Sequence, residues 1–140
     1  MAYNKYKDKS KVSKPSSPKP LDIRWITGGI PIDSTAVNWT EEAGAYLVKC
    51  GLTTSSLRRF FGEARRIQTD FDSFRDDVQL LRAKLAYNAN RKGKEGVEDF
   101  YNLVKDGIIA VEQDEQRFNK FIKLAEAIVA FHKVHGGAVN

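Results

Sequence analysis

The pattern of apolar and polar positions is helical from about residue 38 to residue 134. Apolar residues recur there every three or four positions, and no stretch alternates with the period of two that a half-buried strand requires. Short breaks divide the pattern into five predicted helices, over residues 38–50, 54–68, 72–90, 96–111 and 113–134. The connections are as short as those of helix bundles. We therefore predict an all-α fold, a compact bundle of about five helices.

Capping residues mark where the first two predicted helices begin. Asn38, with Glu41 three residues later, predicts a capping box at the start of the first helix, and Gly51 follows the end of that helix. Thr53 or Thr54 is predicted to cap the second helix. Each of the five helices has an apolar face that can contribute to one shared core.

The first 37 residues do not continue the helical pattern. Residues 1–20 alternate lysine with Ser, Asp and Pro and contain almost nothing apolar, which predicts a disordered basic tail. That tail either keeps the protein soluble or lies along phosphate, and both interpretations remain open. Residues 21–37 are apolar but are broken by Gly28, Gly29 and Pro31. They predict an extended strap across the helical body, with docking on a neighbouring subunit as the alternative. The rest divides into a helical bundle domain over residues 38–135 and a C-terminal tail over residues 136–140, so the bundle has an irregular, partly disordered N-terminal extension.

The formal charge of +5 favours an anionic partner, and nucleic acid is the usual one. Residues 1–30 hold seven Lys and Arg against two Asp, whereas residues 31–140 hold sixteen residues of each sign. A nucleic-acid surface on the folded part must therefore be a local patch. The single cysteine, Cys50, excludes an internal disulfide and fits a reducing cytoplasm. No apolar run is long enough to span a membrane, and no apolar segment follows the basic N-terminus as in a signal peptide.

The second predicted helix carries four arginines on one side. With a turn of about 100° per residue, Arg58, Arg65, Arg59 and Arg66 form an arc of about 120° beside the core face, and Gly62 lies at its centre. Guanidinium groups bind phosphate through paired hydrogen bonds, and a glycine between them would let a nucleic-acid backbone approach. The alternative is an ordinary solvated face, since surface arginines are common and their ion pairs are weak.

The third predicted helix begins acidic and then becomes basic. Four aspartates at residues 70, 72, 76 and 77 complement the helix dipole, an interpretation that we prefer to a magnesium site. No acidic residue then follows until Glu95, and the stretch between contains five cations: Arg82, Lys84, Arg91, Lys92 and Lys94. A stretch of one charge with an aromatic residue can bind RNA by charge and stacking. We place Tyr87 in the core rather than on a stacking platform.

The sequence gives little support for a catalytic site or a metal site. His132 and His135 are three residues apart, but no further residue has ligand spacing around them, and Cys50 belongs to an apolar face. Gly28 and Gly29 lack the Gly-Lys-Ser/Thr continuation of a phosphate-binding loop. We therefore predict no catalytic residue, no metal and no cofactor.

Three segments resemble a known family. The run from Leu52 to Phe61 resembles the "L-T-T-S-Q-L-R-K-F" signature of the small-subunit family of type III-A (Csm-type) CRISPR effector complexes. Residues 81–91 are similar to that family's "L-x-P-K-L-A-Y-x-A-x-R" stretch, and residues 118–132 are similar to its closing "F…F…E-A-x-x-A-Y-H" helix. The departures from these patterns are Ser56 for Gln, Arg59 for Lys, Ala83 for Pro and Phe131 for Tyr. None of them removes a positive charge, although the missing Gln puts one polar contact in doubt.

The resemblance implies a non-catalytic, cytoplasmic subunit that serves antiviral defence. Such subunits stack in several copies alongside the crRNA and its target RNA, and pack against the repeating backbone subunits and the large subunit. Guide–target pairing reads the sequence, so that the protein needs only shape and charge. The predicted RNA-binding residues are Arg58, Arg65, Arg59, Arg66, Arg82, Lys84 and Arg91. The alternative is a helical protein–protein scaffold or adaptor without direct RNA binding.

Overall fold

The computed structural model describes residues 15–137 of the 140-residue chain. Within that range it contains seven helices and no strand, which confirms the all-α prediction. In chain order they are α1 (Arg24–Thr27), α2 (Ser34–Lys49), α3 (Thr54–Thr69), α4 (Phe71–Phe74), α5 (Asp77–Ala89), α6 (Val97–Val111) and α7 (Glu115–Val134). Five of them are long, as predicted, and α1 and α4 have only four residues each. Of the tails predicted over residues 1–20 and 136–140, residues 1–14 and 138–140 lie outside the described residues.

The core lies where α7 packs against α2, α3 and α6. Phe118, Phe121 and Ile128 of α7 are fully buried there. Phe60 of α3 meets Phe100 of α6 edge to face, with ring centroids 5.0 Å apart and an interplanar angle of 83°. Aromatic pairs prefer this arrangement, and removal of such apolar surface from water is the main force for folding. Helix α5 completes the bundle by packing against α3 and α6.

Helices α2 and α7 approach each other closely at Gly44, which is buried. A Cβ atom at this position would lie 2.8 Å from the backbone nitrogen of His132 and 3.0 Å from the carbonyl carbon of Phe131. A side chain at residue 44 would therefore push the two helices apart. The glycine lets the first long helix pack directly against the last one.

The first long helix begins four residues before the predicted start. Asp33 is its N-cap, and its Oδ1 accepts hydrogen bonds from the backbone nitrogens of Thr35 at 3.0 Å and Ala36 at 3.5 Å. The prediction that Asn38 caps this helix is wrong, because Asn38 lies inside it and is exposed. An earlier start places Ala36 in the core, where it is fully buried.

The third predicted helix is divided. Asp70 caps the short helix α4, and α5 begins only at Asp77. Aspartate and serine side chains compete for backbone hydrogen bonds, so a segment with four aspartates and a serine is a poor helix interior. The interruption at Arg75 and Asp76 lets α4 bury Phe71 against Phe118 of α7, with ring centroids 5.6 Å apart.

Residues 15–33 pack across α6 and α7. The segment predicted as an extended strap, residues 21–37, is not extended throughout, since α1 forms one helical turn that ends at Gly28 with a φ of +90° and residues 34–37 belong to α2. The backbone nitrogen of Leu21 donates to the carbonyl oxygen of Leu103 at 2.9 Å. Its side chain fills the space beside Gly107, where a Cβ atom would lie 3.0 Å from Leu21 Cδ1. Trp39 Nε1 donates to the carbonyl oxygen of Lys19 at 2.7 Å, which ties the segment to α2.

Candidate nucleic-acid interface

Helix α3 presents its arginines to solvent because its opposite face is apolar. Thr53 caps the helix, with its Oγ1 accepting from the backbone nitrogen of Ser56 at 3.1 Å. The apolar residues recur at helical spacing and are all buried: Leu57, Phe60, Ala64 and Ile67. All four arginines of the predicted arc are exposed: Arg58, Arg59, Arg65 and Arg66. Gly62 is exposed between them, and nothing lies within 4 Å of the position that a Cβ atom would take.

Glu63 forms ion pairs with two of the residues predicted to bind RNA, Lys84 and Arg66. Its Oε2 forms a close ion pair with Lys84 Nζ, and its Oε1 accepts from Arg66 Nε at 3.3 Å. Arg66 Nη2 also contacts Asp77 Oδ2 at 3.0 Å, while its guanidinium lies 4.6 Å from the centroid of the Phe74 ring. The hydrogen bond from Lys84 holds the pKa of Glu63 below its usual range, and Asp77 raises the pKa of Arg66. Both basic groups therefore already have acidic partners.

Three arginines of α3 have no such partner. Among residues 15–137, no carboxylate lies within ion-pairing distance of Arg58, Arg59 or Arg65. The Arg65 guanidinium lies 5.7 Å from the centroid of the Phe61 ring, which steadies its stem without neutralising its charge. These side chains are the cations that can reach an incoming phosphate without first breaking an ion pair.

The two arginines predicted on the third helix have different environments. Arg82 is half-buried; its Nη1 donates to Gln79 Oε1 at 3.1 Å, and its buried Nε has no hydrogen-bond partner among the described residues. Arg91 is exposed, donates to Asn88 Oδ1 at 3.1 Å, and lies 5.6 Å from the centroid of the Tyr87 ring. The side chain of Arg82 is therefore less accessible to an incoming phosphate than that of Arg91.

The placement of Tyr87 in the core is wrong, since 68% of this residue is exposed. Leu81 and Leu85 of α5 are buried, and a residue two positions after Leu85 lies on the far side of a helix. Tyr87 therefore shares the solvent-exposed face of α5 with Lys84, and the guanidinium of Arg91, two residues after the end of α5, lies 5.6 Å from the centroid of the Tyr87 ring. An exposed aromatic ring between two cations is a feature of surfaces on which bases stack.

A cleft lies between α3, α5 and the start of α6. Its volume is about 360 Å³. Apolar side chains form its floor: Leu52, Leu57, Phe60, Leu81, Leu85, Val97 and Phe100. Polar and charged side chains form its rim: Ser56, Arg59, Glu63, Lys84, Asn88 and Lys94. The structure thus brings the predicted Arg59 and Lys84 together with Lys94 and Asn88, which the prediction left out. The acid-free stretch before Glu95, which contains both, was the signal that could have found them.

The described residues contain neither a metal-binding cluster nor a membrane-spanning helix. No group of three His, Cys, Asp or Glu side chains in residues 15–137 is placed to hold a metal ion. The two histidines have separate partners: His132 Nε2 lies 2.7 Å from the carbonyl oxygen of Leu52, and His135 Nε2 lies 3.0 Å from Glu41 Oε2. None of the helices in the same range is both long and apolar enough to cross a membrane.

The fold and this surface define a small all-helical protein with one cationic helix face. The family model described as Csm2 Type III-A matches residues 33–138. The chain therefore belongs to the Csm2 family, the small subunit of type III-A CRISPR complexes, as its three motifs indicated. No curated protein and no solved structure matches the chain.

Proposed function

We propose that this chain is the non-catalytic, RNA-binding small subunit of a type III-A CRISPR effector in the cytoplasm. It binds the sugar–phosphate backbone of crRNA or target RNA and packs against copies of itself, the repeating backbone subunits and the large subunit. The observation that carries the proposal is the exposure of Arg58, Arg59 and Arg65 on one helix without ion-pair partners among the described residues. Membership of the Csm2 family, the small subunit of type III-A CRISPR complexes, supports the proposal.

The seven predicted residues contribute unequally in this proposal. Arg58, Arg59 and Arg65 contact phosphate directly. Lys84 and Arg66 must share their charge with Glu63 and contribute less. Arg91 acts beside the exposed Tyr87 ring, and the half-buried Arg82 contributes least.

The double substitution Arg58→Ala/Arg65→Ala tests the proposal. We expect weaker binding to single-stranded RNA of any sequence. We also expect a smaller salt dependence, by about 1.4 in the slope of log K against log salt if two phosphate contacts are lost. Binding is measured by filter retention or fluorescence anisotropy between low and moderate salt. Unchanged affinity and an unchanged slope in this variant would remove the site assignment.

The controls separate a local site from total charge. Lys123→Ala/Lys133→Ala removes two positive charges from exposed positions of α7 and should change the slope much less. All proteins are also compared in a full-length background in which the N-terminal lysines are replaced by alanine, because these lysines could bind RNA weakly themselves. The lysines replaced are Lys5, Lys7, Lys9, Lys11 and Lys14.

A helical scaffold without RNA contact is the second candidate function. The observation that favours it is an exposed apolar pair, Ile23 and Ile109, which line one hollow and are 46% and 45% exposed. Such a patch suits a protein partner. Failure of the tail-neutralised protein to bind unrelated single-stranded RNA at low salt would favour this candidate over the first.

A further inference from the structure

The cleft between α3 and α5 has a shape and chemistry that backbone binding does not use. From these we infer that it takes one unpaired nucleobase of the bound RNA, an inference that rests on the proposed RNA-binding function. Its volume of about 360 Å³ falls at the lower end of the range of roughly 300–1,000 Å³ for small-molecule pockets. That space suits a single base with part of its sugar.

The floor and the rim of the cleft match the two parts of a nucleotide. The floor is apolar, and the edge-to-face rings of Phe60 and Phe100 contribute to it. Three cations, Arg59, Lys84 and Lys94, lie at the rim. A ligand that places a flat apolar group inside and a negative charge outside satisfies both regions, and a nucleotide has this form.

Asn88 gives the rim a group that can contact the edge of a base. Its Oδ1 accepts from Arg91 Nη1 at 3.1 Å, which leaves the amide NH₂ of this rim residue to donate to a ligand. Base ring nitrogens and carbonyl oxygens are acceptors for such donors. One amide gives a modest preference among bases and leaves sequence reading to the guide.

Other occupants fit the cleft less well. Residues 1–14 carry five lysines and one aspartate, and three cations at the rim would repel them. A basic segment of a partner would be repelled in the same way. An apolar side chain of a neutral or acidic protein partner is the competing occupant, and the experiment below separates it from a base.

The experiment compares a short single-stranded RNA with an abasic oligomer of the same length and charge. The protein carries Tyr87→Ala, so that the exposed ring of residue 87 cannot stack on bases. We expect it to bind the RNA about 5- to 10-fold more tightly than the abasic oligomer, the size of one stacking contact. If the protein binds both oligomers equally, the inference is overturned, and a protein side chain becomes the occupant of the cleft.

Ser56→Met fills the cleft from its rim without changing charge, and Ser34→Met is the matched control in the first turn of α2, where Ser34 is exposed. We expect the base preference to disappear in the first variant and to persist in the second, with the salt slope unchanged in both. Asn88→Leu, which removes the amide, should reduce the preference in the same way and guards against misfolding of Ser56→Met. A preference that persists in a folded Ser56→Met protein would overturn the inference.

The two proposals fail differently. Arg58→Ala/Arg65→Ala should weaken binding to both oligomers and preserve their ratio. If the unsubstituted protein binds neither oligomer, the proposed function fails and the base pocket fails with it. Equal binding of both oligomers by the Tyr87→Ala protein removes only the pocket.

Discussion

At the scale of single residues, Glu63 decides how much of the basic surface is available. It is the one acidic side chain on the rim of the cleft, and it contacts both Lys84 and Arg66. Exposed ion pairs of this kind add little to stability, typically below about 1 kcal/mol. Its larger effect is electrostatic, because it lowers the positive potential that an incoming phosphate meets.

Glu63→Gln should therefore strengthen RNA binding. The substitution removes one negative charge and releases Lys84 from its acidic partner, while Arg66 keeps Asp77. We expect affinity to rise several-fold at low salt, and the salt slope to rise by about 0.7 if Lys84 gains one phosphate contact. Fluorescence anisotropy with single-stranded RNA measures both. Glu126→Gln, on the exposed side of α7, makes the same charge change away from the cleft. An equal gain in both variants would argue against a local role for Glu63.

The exposure of the α3 arginines could be predicted, but the ion pair between Glu63 and Lys84 could not. The apolar positions Leu57, Phe60 and Ala64 fix the orientation of the helix, and the arginines must then face solvent. The contact of Glu63 with Lys84 joins two helices across 21 residues of sequence, and no local pattern contains it. The exposure of Tyr87 could have been predicted from its angle to Leu85, since the helical spacing separates the two.

At the scale of elements, the loop before α3 is held by the helices around it. The backbone nitrogen of Leu52 donates to the carbonyl oxygen of Leu47 at 3.0 Å, and the Leu52 carbonyl oxygen lies 2.7 Å from His132 Nε2. Gly96, with a φ of +79°, lies against the same residue, and a Cβ atom there would be 2.6 Å from the Leu52 nitrogen. These contacts fix where α3 begins and hence how the cleft is bounded, because Leu52 lines it.

Gly96→Ala should destabilise the protein more than Gly93→Ala does. Both glycines have a positive φ, +79° and +77°, so both substitutions incur the left-handed backbone cost of about 1–2 kcal/mol. Only the first also places a Cβ atom against backbone, whereas nothing lies within 4 Å of a Cβ atom at Gly93. We expect an additional loss of about 1–3 kcal/mol for Gly96→Ala, measured by urea unfolding. Equal losses would mean that the loop moves aside without cost.

Element boundaries were less predictable than element types. The five long helices follow from their apolar periodicity, but four-residue helices are too short to show a period, so α1 and α4 were missed. The start of α2 was misplaced because Asn38 is a good capping residue by type, whereas the cap in the structure is Asp33. The start at Asp33 allows the helix to bury Ala36 in the core, and burial depends on the assembled fold rather than on local sequence.

At the scale of the whole molecule, the N-terminal segment is part of the core. Leu21, Trp25 and Ile26 are 3%, 4% and 0% exposed, so residues 15–33 bury apolar surface as the long helices do. The family match begins at residue 33, which leaves most of this segment outside the shared region. We infer that the helical body and the strap unfold together as one cooperative unit.

Leu21→Ala tests this inference, with Ile23→Ala as its control. Leu21 fills the space beside Gly107, so its truncation should cost about 2–5 kcal/mol of unfolding free energy. Ile23, two residues away, is 46% exposed, and the same truncation should cost much less, within about 1 kcal/mol. Chemical denaturation followed by circular dichroism reports both values. If residues 15–33 were separable from the helical body, both substitutions would lower the unfolding free energy only slightly.

The close packing of α2 on α7 at Gly44 also has a consequence during synthesis. Glu41, in the middle of α2, and His135, directly after α7, lie 3.0 Å apart in the fold and are 94 residues apart in the chain. The apolar face of α2 leaves the ribosome early, but the helix that covers it is completed only when residue 134 has been made. Until then the growing chain exposes part of this apolar face, including Ala43 and Leu47. The core that α2 shares with α7 is therefore complete only when the last helix has been made.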